Sequence, residues 1–237
     1  MIYFIHLCIK KKMLNRAIKR IFDIISSSVV IILLLPIWII IPIFIKLDSK
    51  GPVVFRQRRL TKDGRVFLMY KFRSMVINAE KMNTGLFNFK DDPRVTKIGN
   101  FMRSTSIDEL PQLFNILKGD MSVIGPRPSV EYELGDFSTL NQKFRKRFSM
   151  KAGLTGLAQV MGRNNISWDE KVVYDNQYID LFKKYGILLD IKLIFLSVLK
   201  VFKKENIFEN KAQESMTDAE AAKYADEEII RLAHIPD

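Results

Sequence analysis

From Ile24 to Ile45 the chain carries 22 consecutive uncharged residues, mostly Ile, Leu and Val. As a helix, that stretch is long enough to cross the hydrocarbon core of a bilayer. Two features argue for an element that enters and turns back. Both flanks are basic, with Lys10, Lys11, Lys12, Arg16, Lys19 and Arg20 before and Lys46, Lys50, Arg56, Arg58 and Arg59 after. Cationic ends on both sides give a crossing no preferred orientation and are satisfied when both remain cytoplasmic. Pro36 stands inside the run and Pro42 follows six residues later; each removes a backbone donor and can kink a helix. The hydroxyls of Ser26, Ser27 and Ser28 can satisfy backbone carbonyls within such an element. The pattern predicts a re-entrant hairpin over 21–47 that breaks near Pro36, preceded by a basic interfacial segment over 1–20. A kinked helix that spans the membrane as a signal anchor remains open as the alternative.

Further on, the hydrophobic period changes. Val53–Phe55 and Arg65–Phe72 read as strands flanking the turn Thr61-Lys62-Asp63-Gly64, with Lys71 and Arg73 on one face. Residues 76–90 read as a short helix and loop, Asp91–Arg94 as a turn, and Thr96–Arg103 as a short helix with apolar Ile98, Phe101 and Met102. Pro111 belongs in a helix's first turn, because deeper in it would clash with the preceding turn. Asp108 and Glu109 therefore sit at a helix N-terminus, which favours anions, and Gly119 closes that helix. Residues 130–148 read as helical, residues 152–163 as a loop punctuated by Gly153, Gly156 and Gly162. Trp168–Tyr185 reads as a helix with Tyr174, Tyr178 and Phe182 as a packed stripe, and Asp190–Lys204 as an amphipathic helix. The fold class expected is α+β, mostly helical: a monotopic membrane protein with a small β-hairpin and interfacial amphipathic helices.

Charge narrows the partners. The formal net charge is +12, yet residues 205–237 hold nine acids against three bases, so the body is strongly basic and the tail acidic. A basic body fits an anionic partner. Nucleic acid is not expected, since the positive charge gathers around the apolar segment and no DNA- or RNA-binding signature appears. A single cysteine, Cys8, excludes an intrachain disulfide; His6 and His234, at opposite ends, make a His-based triad or zinc site improbable on spacing. Catalytic groups are then to be sought among carboxylates. The pair Asp108-Glu109 lies between Arg103 and Arg127, the latter in Gly125-Pro126-Arg127-Pro128. The plainer reading of Ser106-x-x-Glu109 is a capping box.

Together the motifs resemble the monotopic phosphoglycosyl transferases of the bacterial sugar transferase family. They run from Lys19-Arg20-x-x-Asp23 through Gly51-Pro52, Phe55-x-Gln57-x-Arg59 and Tyr70-Lys71-Phe72-Arg73-Ser74-Met75. Next come Asp92-Pro93-Arg94-Val95-Thr96-Lys97-Ile98-Gly99, Asp108-Glu109-Leu110-Pro111-Gln112-Leu113, Gly119-Asp120-Met121-Ser122, Gly125–Pro128, Gly153–Gly156 and Gln159-Val160-x-Gly162-Arg163. There are two departures: Ala152 where the family usually has Pro, and Leu35 where some relatives carry a small polar residue before Pro36.

The resemblance implies transfer of a sugar 1-phosphate from a UDP-sugar to polyprenyl phosphate, releasing UMP, with Asp108 as nucleophile. It implies Asp108 and Glu109 as ligands of Mg2+, a hard cation that suits carboxylate and phosphate oxygens. Arg127, between two prolines, is then a pre-organised phosphate donor, with Lys71, Arg103 and Arg163 as further substrate contacts. It implies a catalytic domain over 48–204 on the cytoplasmic face of the bacterial inner membrane and an acidic tail over 205–237. Expected partners are membrane lipid and either other glycan-assembly enzymes or a second copy of the chain. A membrane-anchored scaffold that binds anionic lipid is the alternative reading.

Overall fold

The computed structural model describes residues 2–82, 92–133, 137–162 and 166–203. Two helices open the chain, α1 (Ile2–Leu33) and α2 (Leu35–Asp48). They meet at Leu34 with a bend of 65° between Met13–Leu33 and Leu35–Asp48. Pro36 lies in the first turn of α2, where its missing N–H costs nothing and its ring blocks continuation of α1. The break falls where the sequence predicts it, and a pair bent in this way fits a re-entrant element as well as a broken span. The helix α1 runs unbroken across residues 20 and 21. Ser26 Oγ donates to the Phe22 carbonyl at 2.7 Å, as expected of a hydroxyl in an apolar helix.

What fixes the bent pair to the rest is the run Lys19-Arg20-x-x-Asp23. It docks on α4 (Gln112–Lys118), β3 (Met121–Ile124) and α8 (Ile187–Phe202). Lys19 Nζ donates to the Ile124 carbonyl at 2.8 Å and pairs with Asp190 at 2.5 Å. Arg20 donates to the Ile116 and Leu117 carbonyls at 2.5 and 2.8 Å, in the last turn of α4, where intrahelical donors run out. Asp23 accepts from Ser122 Oγ at 2.8 Å and from the Val123 N–H at 2.9 Å. Lys19, Asp23 and Asp190 are all buried, so each needs the partner it has.

Strands β1 (Val54–Leu60) and β2 (Val66–Phe72) form the expected antiparallel hairpin, β1 longer than its apolar residues indicated. Helix α3 (Lys97–Thr105) starts at Thr96, whose Oγ1 accepts from the Gly99 N–H. Gly119, at φ 89, closes α4 by giving its N–H to the Asn115 and Ile116 carbonyls. The glycine loop expected over 152–163 is instead β4 (Ala152–Thr155), parallel to β3, followed by α6 (Leu157–Met161). Its glycines serve close approach, since a Cβ on Gly153 would lie 2.2 Å from the Gly125 nitrogen. Ala152, the departure from the family pattern, gives its N–H to Thr61 Oγ1, a bond that proline lacks.

Nor is 130–148 one helix. It breaks into 3-10 turns at Glu131–Glu133, Phe137–Thr139 and Arg147–Ser149 with α5 (Gln142–Lys146) between, because Asn141 caps a new start by accepting from the Phe144 N–H. Helix α7 (Trp168–Tyr185) has the expected bounds and buries Tyr174, Tyr178 and Phe182 against Ile124, Leu157, Val160 and Leu193. A second core joins β2, α4 and β3 through Phe67, Met69, Ile116 and Met121; a third joins α2, β2 and α3 through Ile41, Ile45, Phe72 and Met102. Trp38 bridges these two, its ring 5.5 Å from Phe72 and 5.1 Å from Phe114. The acidic tail expected over 205–237 lies outside the described residues.

Candidate active site

Between α3 and α4 the chain makes a 3-10 turn, Ile107–Glu109. Ser106 enters it at φ 60 and offers no side-chain cap, so Ser106-x-x-Glu109 is not a capping box. Helix α4 has seven residues and begins only at Gln112. A helix dipole therefore contributes little here, and neighbouring cations supply the positive charge. Asp108 is buried, 7% exposed. Glu109 Oε1 lies 3.1 Å from Lys71 Nζ, which reaches it from β2.

The two carboxylates open on different spaces. Asp108 lines a cavity of about 380 Å3 whose walls include Lys71, Arg73, Arg94, Arg103 and Phe55. Glu109 lines a narrow pocket with Arg59, Lys71, Gln112 and Arg127, and also a cavity of about 260 Å3 walled by Leu110, Leu154, Val198 and Val201. Burial draws the Arg103 guanidinium down from its ordinary pKa, and Asp108 and then Asp92 pull it back up. Among the described residues its Nη1 has no hydrogen-bond partner. Arg94 forms a buried fork with Asp92, Nη2 to Oδ2 at 2.7 Å and Nε to Oδ1 at 3.0 Å, which holds the Asp92 carboxyl below its usual range.

Arg127 stands on a loop fastened at four successive carbonyls. Pro126 O accepts from the Gly153 N–H at 2.8 Å, and Arg127 O from Arg147 Nη2 at 2.9 Å. Pro128 O accepts from Arg59 Nη1 at 2.9 Å, and Ser129 O from the Leu60 N–H at 2.9 Å. Arg147 is itself buried and lies 2.6 Å from Asp175 of α7. Burial pushes the Asp175 carboxyl up to about 6, against the pull of Arg147 and Arg127.

Of the residues singled out in the sequence, Asp108, Glu109, Lys71, Arg103 and Arg127 all border these three spaces. Arg163 lies outside the described residues, and Pro36 belongs to the bend. Sequence reasoning missed Arg59, Arg73, Arg94, Arg147 and Asp175. The first three stand in the motifs quoted above, and alternation already set Arg73 beside Lys71. Arg147 stands in a run of basic residues with Lys143, Arg145 and Lys146, and only the packing of α7 reveals it as buried. Among the described residues no three His, Cys, Asp or Glu side chains gather as a metal cage. Asp108 and Glu109 are hard oxygen donors of the kind that Mg2+ takes, each beside a cavity.

The bacterial sugar transferase family model matches residues 14–204, and the chain belongs to that family. It is 43% identical over 194 residues to a UDP-glucose:undecaprenyl-phosphate glucose-1-phosphate transferase of Klebsiella pneumoniae, covering 80% of this chain and 41% of that protein. It is 36% identical to the undecaprenyl-phosphate galactose phosphotransferase of Salmonella typhimurium, covering 82% and 42%. With the galactosyl transferase CpsE of Streptococcus agalactiae it shares 47% over 159 residues, covering 62% and 34%. The chain thus spans less than half the length of these curated relatives.

Proposed function

We propose that the chain transfers a sugar 1-phosphate from a UDP-sugar to undecaprenyl phosphate at the cytoplasmic face of the bacterial inner membrane, releasing UMP. The reading rests on family membership, on the reactions in the relatives' names, and on one observation: the Asp108–Glu109 turn separates a cation-walled cavity from an apolar one. A nucleotide diphosphate suits the first, onto which Asp108 opens, and the apolar chain of a lipid phosphate suits the second. The bent pair α1–α2, re-entrant in this reading, keeps the turn near the headgroup plane.

Asp108 attacks the phosphorus that bears the sugar; a carboxylate–phosphorus bond forms and the bond to the UMP oxygen breaks, its electron pair leaving with UMP. An oxygen of the lipid phosphate then attacks the same phosphorus, and Asp108 departs as carboxylate. Arg103 and Lys71 offset the diphosphate's charge, and Arg127, on its fastened loop, orients a phosphate by two parallel N–H groups. Mg2+ held by Asp108, Glu109 and phosphate oxygens would supply further charge neutralisation.

UDP-sugar and Mg2+ without lipid acceptor should then release about one UMP per active site, the burst expected of a covalent intermediate. Asp108→Asn should abolish burst and turnover together, and mass spectrometry should find a phosphosugar on the Asp108 peptide. A wild-type enzyme that releases no UMP until acceptor is added transfers in a single step, which would overturn the covalent route.

A further inference from the structure

The 260 Å3 cavity on the Glu109 side of the turn has fewer charged side chains in its wall than the cavity beyond Asp108. Leu110, Leu154, Val198 and Val201 wall it. Ser197 and Thr155, also in its wall, hydrogen-bond to each other at 2.8 Å. Its charged groups are Glu109, Arg127 and Lys200. One wall is α8, and Leu188, Ile191, Phe195 and Leu199 of that helix are exposed. Val198 both lines the cavity and is 47% exposed, so the cavity wall and the apolar outer face of α8 meet there.

An occupant must therefore be apolar along most of its length and anionic at the end near Arg127. It must also leave past Val198 towards an apolar exterior. Free phosphate meets only the second requirement. A phospholipid carries its phosphate as a diester between glycerol and headgroup, away from the chain end. A prenyl phosphate is a monoester at the very end of an apolar chain, and meets all three.

We infer that this cavity seats the phosphate-proximal isoprene units of the lipid acceptor, which enters from the membrane past Val198 and brings its phosphate end to the Asp108–Glu109 turn. The inference rests on the reaction proposed above and adds the acceptor's residues and its side of entry.

Val201→Trp fills the cavity, whereas Leu188→Trp sets the same ring on the outer face of α8. In bilayer nanodiscs, Val201→Trp should raise the KM for undecaprenyl phosphate by about tenfold or more, a loss of some 1.4 kcal/mol of acceptor binding. It should leave the acceptor-free UMP burst within about twofold of wild type, since only the second half of the reaction is obstructed. That intact burst also shows the variant to be folded. Leu188→Trp should change neither. An unchanged acceptor KM overturns the inference, and so does a burst lost in step with turnover.

A second measurement is independent of turnover. A diazirine-bearing prenyl phosphate in phosphatidylcholine vesicles should label wild-type peptides containing Leu154 or Val198–Val201. Undecaprenyl phosphate should compete with that labelling, and phosphatidylglycerol or inorganic phosphate should not. Labelling confined to α1 and α2, or equal competition by phosphatidylglycerol, overturns the assignment even if no UDP-sugar proves to be a donor. If labelling is as expected but no UDP-sugar releases UMP, the lipid site stands and the donor reading fails.

Discussion

Asp175 shows how far the chemistry of one residue depends on packing. It lies in the middle of α7 with no motif around it, yet its partner Arg147 holds the carbonyl of Arg127. A carboxyl whose pKa is about 6 in the fold and near 3.9 unfolded binds its proton more tightly when folded. The unfolded chain releases that proton first, so this group's contribution to stability is full below about pH 4 and falls as pH rises to about 6. Across that window the loss is of the order of 3 kcal/mol. Thermal unfolding between pH 4 and 7 should show this decline in wild type and its absence in Asp175→Asn, whose amide does not titrate. Parallel profiles for the two proteins would place the titration elsewhere. At pH 7 the variant leaves Arg147 buried beside a neutral amide, and the fourfold-fastened loop loses its support from behind. Its donor KM should accordingly rise more than its kcat falls.

At the scale of elements, Pro36 divides one run of helix-forming residues into two arms. Pro36→Ala restores the missing N–H and removes the ring, allowing one continuous helix through the bend at a gain of about 3 kcal/mol in local helix preference. With Cys8 replaced by Ala, a Lys11→Cys probe should be protected from an impermeant thiol reagent in intact cells. Adding Pro36→Ala should expose it. Labelling of the Pro36-containing protein from outside would sink the re-entrant arrangement. This element was legible because proline acts locally, and so were the β1–β2 hairpin, α4 with its glycine stop and the whole of α7. The β3–β4 pair was not, because four-residue parallel strands carry no period of their own and are defined by a partner some thirty positions away. The candidate site was legible for a similar reason in reverse: Asp108, Glu109 and Arg127 stand in short ordered motifs. Its supports, Arg147 and Asp175, reach it only through tertiary packing.

At the scale of the molecule, exposed apolar side chains among the described residues concentrate on two surfaces. One is the bent pair, with Ile21, Ile25, Val29, Ile32, Leu35, Ile39 and Phe44; the other is α8, with Ile191, Phe195 and Leu199. The buried Lys19–Asp190 pair ties α1 directly to α8, so both surfaces belong to one joined frame. An exposed stripe of this kind on a helix that also carries Lys192 and Lys200 is the pattern of an interfacial helix, with cations at headgroup level and apolar groups below. If α8 lies at the interface, Phe195→Glu with Leu199→Glu removes about 2 kcal/mol of apolar burial per position and adds like charge facing anionic lipid. The double variant should remain folded, because both positions point away from the core formed by Tyr178, Phe182 and Leu193. Membrane attachment through α1 and α2 should persist, while turnover of a bilayer-embedded acceptor should drop by about tenfold or more. The UMP burst from a water-soluble UDP-sugar should be spared. Flotation with liposomes and the two half-reactions, measured on the same preparation, separate these effects. Unchanged turnover in the double variant would mean that α8 takes no part in presenting the site to the membrane, leaving that task to the bent pair alone.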